Sequence, residues 1–334
     1  MRELFLTFLL YLVVAPVLGQ EAFDAGRASF SVGLNNEIYP YREFASFVLP
    51  GERIVLRIVD ESGASFSAAA DAGNLERTAP GRYVWVAPQA PGRVAITVNR
   101  IDGDSIRINA FVQVPAARVR NGVLNGYELG RYPRPPTNDP IYAVPDGYIE
   151  INEEDLAVPV SPHFVLGQFV SDRGSVFPKY IVLRERLVLK LEALLERVNR
   201  DIRADSFAIL SGYRSPARNQ EVGGSPHSRH IYGGAAAIIV DRDPIDGVMD
   251  DLDSDGEITR RDAEVMLRIA NTLFREPGLS YLQGGLAVYG PTSWRGPYLH
   301  VDARGYRARW NADQDLQRLA NPRQPRHPRD FRRP

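Results

Sequence analysis

The sequence contains no cysteine, which excludes disulfide bonds and thiolate metal ligands. Any metal site must therefore use His, Asp or Glu side chains. Histidine is also scarce, with only five in 334 residues, at positions 163, 227, 230, 300 and 327. Three of the five (His227, His230 and His300) lie within or directly before two segments that carry the motifs described below, so the histidine inventory already points there.

A strong excess of charge of either sign is missing as well. Formal net charge is -1, which argues against a general nucleic-acid binder or a membrane-surface binder. Apolar residues make up 44% of the chain and charged residues 24%, as in ordinary soluble proteins. The length gives room for two domains.

The first 19 residues have the pattern of a secretory signal peptide. Arg2 provides the positive start, positions 4–14 are almost unbroken apolar sequence, and Val17-Leu18-Gly19 offers a cleavage site. The alternative is an N-terminal membrane anchor, for which the apolar stretch is short. The absence of a cysteine after it excludes a lipoprotein anchor. We therefore expect an exported protein of the periplasm or cell envelope, with no membrane span after cleavage.

Residues 20–115 are predicted to form an all-β sandwich of immunoglobulin-like type. Runs such as 53–59, 83–86 and 94–98 are rich in β-branched and aromatic residues, and turn pairs such as Pro50-Gly51 and Pro91-Gly92 separate them. No residue pattern in this part indicates chemistry, so a spacer or binding module with an unknown partner is expected. Residues 116–160 are rich in Pro, Gly and Tyr and are interpreted as a connector that packs on the second domain.

Residues 161–312 are predicted to form an α+β domain. Leucines and other apolar residues recur at three- and four-residue steps over a helix expected at 178–203, and a second helix is expected at 263–274. Short strands are expected at 207–210, 235–240, 286–289 and 298–301. From residue 311 onward Pro and Arg dominate, so 313–334 are predicted to be a disordered basic tail.

Three short segments of this second domain carry a recognisable pattern. They are Ser211-Gly212-Tyr213-Arg214-Ser215, the stretch from Ser228 to Ala237, and Tyr298-Leu299-His300-Val301-Asp302. In this order they resemble the M15 family of zinc D-Ala-D-Ala peptidases, in particular its MepK-like branch of periplasmic peptidoglycan peptidases. The resemblance covers about residues 119–310 and includes Ser161-Pro162-His163-Phe164. It implies an M15-type zinc peptidase domain behind the sandwich.

The resemblance also implies roles for individual residues. His230 is the first zinc ligand and His300 the last, while Arg214 binds the terminal carboxylate of a peptidoglycan peptide or steadies the oxyanion. Ser228 positions the loop before His230, and Tyr213 supports the site. For Arg214, a structural salt bridge is the alternative. Catalytic zinc takes three protein ligands and keeps one open position for the water that attacks.

One position departs from the family pattern. The aspartate ligand expected seven residues after His230 is Ala237 here, and a methyl group cannot bind a metal. Asp241 lies four residues further along a strand, about 13 Å away. His227 or Asp302 are two possible replacements. More strongly favoured is a weakened or inactive site, of natural or engineered origin.

The general base is a second gap in the pattern. Where many family members carry an acid, three residues before the last His, this chain has Pro297. Asp302 is the nearest acidic candidate for activating water or orienting His300. An ordinary carboxylate at a strand end is an equally good interpretation of Asp302.

An acidic insertion at 241–262 resembles the calcium loops of EF-hand and dockerin-type proteins. Alternating oxygen donors surround Gly256 at the turn, and a helix is expected directly after them. The last position is Asp rather than Glu, and a solvated acidic turn is the alternative. The expected calcium ligands are Asp251, Asp253, Asp255, Glu257, Thr259 and Asp262.

Two functions follow from these features. The first is a zinc metallopeptidase acting on peptidoglycan stem peptides, as carboxypeptidase or endopeptidase, and impaired by Ala237. The alternative is a non-catalytic peptidoglycan-binding or regulatory protein on the same scaffold. A third and weaker hypothesis places the function in the β-sandwich, as an adhesion or partner-binding module.

Overall fold

A computed structural model describes residues 22–171, 174, 176–293 and 295–310. The expected signal peptide at 1–19 and the expected basic tail at 313–334 lie outside the described residues. The described part is a mixed, strand-rich fold with few helices, which agrees with the α+β class. None of its helices is long and apolar enough to cross a membrane.

Two sheets make up the N-terminal part, in the orders β2-β1-β4-β7-β6 and β3-β9-β8-β5. Alternate residues of the strands are buried, as in β8, where Val94, Ile96 and Val98 face the core. The two sheets touch where Phe30 packs on Phe66, with ring centroids 4.9 Å apart. The strands are β1 (Arg27–Leu34), β2 (Glu37–Tyr41), β3 (Glu43–Val48), β4 (Arg53–Val59), β5 (Phe66–Ala70), β6 (Asn74–Ala79), β7 (Arg82–Val86), β8 (Gly92–Arg100) and β9 (Ser105–Val112).

One strand pair in this part departs from the antiparallel pattern expected of the sandwich. β3 runs parallel to β9, with Glu43 opposite Arg107 and Val48 opposite Val112. The chain passes from the first sheet to the second at Arg42, the single residue between β2 and β3. That crossing lets β3 join the edge of the second sheet instead of returning beside β2. An immunoglobulin-like relationship stays a prediction.

Short strands occupy the stretch interpreted as a connector and the residues on either side of it. β13 pairs with β10 on one side and with β16 on the other, so this small sheet joins the N-terminal part to the start of the second domain. The side-chain amide of Asn109 donates to the carbonyl oxygen of Pro159 at 2.9 Å, which fixes the connector against β9. The strands are β10 (Val114–Pro115), β11 (Val123–Leu124), β12 (Tyr127–Glu128), β13 (Gly147–Ile151), β14 (Pro159–Ser161), β15 (Phe164–Val165) and β16 (Lys179–Ile181).

The predicted helix at 178–203 is wrong over its first seven residues. Lys179–Ile181 form β16, and the helix, α1, spans Glu185–Ile202. Tyr180 and Ile181 are residues of high strand propensity, and pairing with β13 satisfies their backbone groups. Beyond that start, the predicted apolar face of α1 is buried, including Leu187, Leu191 and Leu194.

The second domain is built on a five-stranded sheet in the order β17-β18-β20-β19-β21. Alternate residues of β20 divide its two faces. Leu299 and Val301 belong to the buried core that includes residues of α1 and α3, whereas Tyr298, His300 and Asp302 project from the other face. The elements are β17 (Ala208–Ser211), α2 (Pro216–Glu221), β18 (Ala235–Ile239), α3 (Arg260–Leu273), β19 (Gly285–Tyr289), β20 (Tyr298–Asp302) and β21 (Ala308–Arg309).

Polar contacts fix α1 to the N-terminal sheets. The partly buried carboxylate of Glu185 accepts hydrogen bonds from the Ser46 hydroxyl at 3.1 Å and the Phe47 amide at 3.2 Å. Farther along α1, Arg27 forms an ion pair with Glu196 at 2.7 Å. The helix is therefore held between the N-terminal part on one side and the site-bearing sheet on the other.

Candidate functional site

The pairing of three strands brings the three motif segments together. In the β18–β20 pairing Ala237 lies opposite His300, and in the β17–β18 pairing Ser211 lies opposite Ala237. The 3₁₀ turn Arg229–Tyr232, which carries His230, leads through Gly233 into β18. Gly233 has a φ of +66° and an added Cβ would meet the Val182 carbonyl at 2.3 Å, so only glycine fits this tight turn.

The imidazole rings of His230 and His300 lie side by side, with centroids 5.1 Å apart and planes at 69°. His230 is only 3% exposed and its Nδ1 is 2.7 Å from the carbonyl oxygen of Gly212. Because a carbonyl can only accept, Nδ1 carries the proton and Nε2 keeps its lone pair. Burial lowers the pKa of His230 well below its usual value, and the positive charge of Arg214 adds to that effect. The ring is a neutral imidazole, the form that binds metals.

Asp302 orients the second ring. Nε2 of His300 is 3.4 Å from Oδ2 of Asp302, a long hydrogen bond that places the proton on Nε2. Burial lowers the pKa of His300, although the bond to Asp302 opposes that shift. On its other side His300 meets the indole of Trp310, with ring centroids 5.0 Å apart. His300 thus sits between an acidic and an aromatic neighbour.

The carboxylate of Asp302 is fully buried and occupied by other donors. Arg304 donates to it from Nε at 2.9 Å and from Nη2 at 2.6 Å, and the Gly285 amide donates at 2.8 Å. Burial works to raise the pKa of Asp302, but the hydrogen bonds from His300 and Arg304 outweigh it and hold the pKa far below the usual range. Its oxygens are therefore committed to structure and to the orientation of His300.

The donors present do not fit a three-ligand zinc site. His230 and His300 supply two nitrogen ligands, but the third position is the methyl group of Ala237, which is 3% exposed and faces His300 across the pairing. Across the described residues, only Asp251, Asp253 and Asp255 form a group of three or more metal-ligand side chains with ligand atoms within 4.8 Å of one another. Neither His227 nor Asp302 completes such a group with the two histidines.

His227 faces a different neighbour. Its ring lies edge-on to Tyr142, with centroids 5.7 Å apart, and its Nδ1 is buried without a hydrogen-bond partner among the described residues. Ser228 begins the turn before His230, and its carbonyl oxygen accepts the Ile231 amide at 3.2 Å. Both residues shape the loop that presents His230.

Arg214 lies next to His230, and its backbone amide donates to the His230 carbonyl at 3.3 Å. Its side-chain Nε is buried with no hydrogen-bond partner, and no carboxylate of the described residues forms an ion pair with it. Burial lowers its pKa to about 10. Such a guanidinium is ready to receive an anionic group. Tyr213 is buried behind it, with its hydroxyl 3.2 Å from that of Tyr132.

Sequence reasoning missed several residues that surround the site. Tyr132 donates from its hydroxyl to the Ile231 carbonyl at 2.9 Å, so the connector helps to hold the His230 turn. Lys190 of α1 is fully buried and donates to the Asp302 carbonyl at 2.8 Å. Arg304 carried a usable signal, because it lies two residues after an acid in the motif. Tyr132 and Lys190 carried none, since their partners are distant in sequence.

The acidic insertion is partly assembled. Carboxylate oxygens of Asp251, Asp253 and Asp255 lie within 4.8 Å of one another. Asp262 is fully buried and accepts the amides of Leu252 and Thr259, each at 2.7 Å, which caps the start of α3. Glu257 is exposed. The structure therefore groups three of the six expected calcium ligands and gives Asp262 a capping role.

Comparison with known families identifies one of these segments. A sequence profile of the family described as Peptidase M15 matches residues 172–252, a range that contains Arg214, His230 and Ala237 and ends before His300. No curated protein matches the chain. The match supports an M15 peptidase domain and a peptidase-like protein; M15 peptidases are typically zinc-dependent.

Proposed function

We propose that this chain is an exported cell-envelope protein whose peptidase-like domain binds the C-terminal carboxylate of peptidoglycan stem peptides without cleaving them. The single observation that carries the proposal is the methyl group of Ala237 facing His300, where the family pattern has a carboxylate. The scaffold of a peptidase is retained while its third ligand is gone. Binding is the function that the remaining groups support.

Arg214 is the proposed anchor for the ligand. Its half-buried guanidinium lies beside the two histidines and has no acidic partner among the described residues, and its Nε lacks any hydrogen bond. Leaving a buried charge without a partner is costly, and an incoming carboxylate would relieve that cost with paired, charge-assisted hydrogen bonds. A structural salt bridge, the alternative role of this residue, has no partner in the described part of the chain.

Loss of cleavage is supported by three positions together. Ala237 offers no metal ligand, Pro297 offers no general base, and the carboxylate of Asp302 is held by Arg304 and the Gly285 amide. Activating water at neutral pH needs either a metal or a well-placed base. The described residues around His230 and His300 supply neither.

Zinc content and peptide cleavage of the chain and its Ala237→Asp variant test the loss of activity. We expect substoichiometric zinc and no cleavage of purified muropeptides by the unchanged chain, and about one zinc per molecule in the variant. Ala237→Asn is the matched control, because it adds similar volume without an ionisable ligand. Tight zinc binding together with cleavage by the unchanged chain would show that the proposal is wrong.

Peptide affinity tests the binding role separately. Calorimetry with a stem tripeptide and with the same peptide ending in an amide compares ligands that differ in the terminal charge. We expect at least tenfold weaker binding of the amide, about 1.4 kcal/mol, and a similar loss for the free-acid peptide with Arg214→Gln. Equal binding of both peptides would remove Arg214 from its proposed role.

Zinc peptidase activity is the second candidate, and the 5.1 Å separation of the two imidazole rings favours it. Two histidine ligands alone bind zinc more weakly than three ligands do. Cleavage that appears only at high added zinc, and disappears in His300→Gln, would support this candidate. If no cleavage appears at high added zinc, peptide binding remains the single supported function.

Export and calcium binding complete the proposal. The apolar N-terminal stretch supports secretion to the periplasm or cell envelope.

The grouped carboxylates of Asp251, Asp253 and Asp255 support a calcium site that stabilises the insertion. A ligand that binds only the folded state must raise its stability. The thermal midpoint should therefore fall on adding a chelator, and an unchanged midpoint would count against calcium.

A further inference from the structure

A second arginine packs on the sheet face that carries His300. The guanidinium carbon of Arg295 is 4.1 Å from the ring centroid of Tyr298. Tyr298 precedes His300 by two residues on β20, so both side chains project from the same face of the sheet. Tyr289 stacks on Tyr298 with ring centroids 4.6 Å apart and planes at 3°. Arg295 is thereby fixed at one end of the face that carries His300.

Neither Arg214 nor Arg295 has a carboxylate partner in the described part of the chain. Other arginines of this domain do, such as Arg304 with Asp302 and Arg197 with Asp201. Burial lowers the pKa of Arg295, and the charge of Arg295 contributes to the lowered pKa of Arg214. Only the phenols of Tyr289 and Tyr298 oppose these shifts. Two half-buried cations that repel each other make a site for an anion.

We infer that Arg295 is a second anion anchor beside Arg214, so that the preferred ligand carries a second carboxylate on its C-terminal residue. The inference rests on the proposed function, because Arg214 takes the terminal carboxylate. Arg295 then takes the side-chain carboxylate, and the site selects a C-terminal acidic residue such as glutamate. Arg295 is a specificity-determining residue in this arrangement.

Stacking on Tyr298 suits that role. A guanidinium held 4.1 Å from a ring centroid keeps N–H groups that can donate to both oxygens of a carboxylate. The aromatic contact also limits the rotamers of a long side chain, which reduces the entropy lost on binding. An arginine that only packs on a tyrosine would give no preference between charged and neutral ligands.

Two peptides that differ in one functional group test the inference on the full chain. Acetyl-Ala-Ala-Glu and acetyl-Ala-Ala-Gln share the terminal carboxylate and nearly the same shape, with either D or L configuration at the last residue. Calorimetry should show about tenfold tighter binding of the glutamate peptide. Raising the salt concentration should reduce that ratio, because charged contacts that water reaches are screened.

Variants of Arg295 then assign the preference. Arg295→Gln should lose the tenfold preference for glutamate over glutamine, whereas Arg295→Lys should retain part of it. A preference that survives in Arg295→Gln would overturn the assignment. Because the comparison of the two peptides on the unchanged chain is decisive by itself, it does not depend on the folding of a variant.

The outcomes separate the inference from the function on which it rests. Equal affinity of the unchanged chain for both peptides would overturn the role of Arg295 and leave the binding role of Arg214 intact. Binding of neither peptide would overturn the proposed function and the inference together. Weaker binding of both peptides to Arg214→Gln, with the preference for the glutamate peptide lost only in Arg295→Gln, is the expected pattern.

Discussion

Ala237 and His300 lie directly opposite each other in adjacent antiparallel strands, and both are buried. Side chains of such a pair have Cβ atoms about 4.5–5.5 Å apart, a distance that an aspartate and a histidine span when both bind one metal ion. Here one of the two is a methyl group. The backbone position of the expected third ligand is therefore retained, but its side chain carries no atom that can bind a metal.

An aspartate at position 237 should be destabilising until metal binds. Ala237→Asp places a carboxylate in a site that is 3% exposed, next to two neutral imidazoles. Without zinc we expect a loss of about 2–4 kcal/mol in the free energy of unfolding, because a buried charge without a partner is costly. Denaturant titration with chelator and with zinc should show that zinc restores most of this loss.

The control for this prediction is Ala237→Asn. Its amide adds about the same volume, so it should be destabilised by packing and unaffected by zinc. Equal recovery of both variants on adding zinc would mean that the carboxylate is not the missing ligand. Full stability of Ala237→Asp with chelator would mean that the site is wetter than its burial indicates.

Much of the strand arrangement could be predicted from the sequence, because the strands are short apolar runs bounded by turns. The predicted run 53–59 coincides with β4, and 298–301 falls within β20. The start of α1 could not be predicted, since Leu183 fits the helical repeat and only pairing with β13 makes Tyr180 and Ile181 extended. The strand propensity of Tyr180 and Ile181 decides the structure there only because β13, distant in sequence, offers a pairing partner.

The candidate site was predictable only where its residues are neighbours in sequence motifs. His230, His300 and Arg214 could be named from the motifs, and the strand register then explains why they converge. The burial of Lys190 behind β20 could not be named. It depends on which side chains fill the space that the fold leaves, and no short-range pattern encodes that.

Asp302→Asn should destabilise the fold strongly at neutral pH and less in acid. The substitution breaks a buried pair with Arg304, which costs about 3–5 kcal/mol. Because the folded-state pKa of Asp302 is depressed, its contribution is complete above the unfolded value of about 3.9 and is lost as pH falls further toward the folded pKa. Urea unfolding at pH 7 and pH 3 should show the difference between variant and unchanged chain shrinking in acid.

Asp201→Asn is the control for that experiment, because it breaks a surface pair with Arg197 on α1. Such pairs contribute about 0.5 kcal/mol or less. A difference between Asp302→Asn and the unchanged chain that stays the same at pH 3 and pH 7 would contradict the buried ion pair.

His163 should contribute stability that is present in mild acid and lost in base. Its Nδ1 is 2.7 Å from Glu192 and its Nε2 is 3.0 Å from the Asp24 carbonyl, so it joins the N-terminal residues to α1. Burial opposes its charge, but the bond to Glu192 outweighs burial and raises the pKa. The contribution, about 1–2 kcal/mol, is therefore complete below about pH 6.5 and disappears as pH rises through the folded pKa. The free energies of unfolding of His163→Gln and of the unchanged chain, measured from pH 5.5 to 8.5, should converge as pH rises. A difference that stays constant over this range would contradict the prediction.

Lys190, one of the chain's two lysines, should make the protein more stable as pH rises above 7. Burial lowers its pKa to about 7, whereas the unfolded chain holds that proton up to about pH 10.4. Between these values the unfolded state binds more protons, so the free energy of unfolding should increase by up to about 1.4 kcal/mol per pH unit. Guanidinium unfolding at pH 6.5, 7.5 and 8.5 should show this rise in the unchanged chain and in Lys179→Met, the other lysine, but not in Lys190→Met. If the free energy of unfolding rises equally in all three proteins, a group other than Lys190 is responsible for the rise.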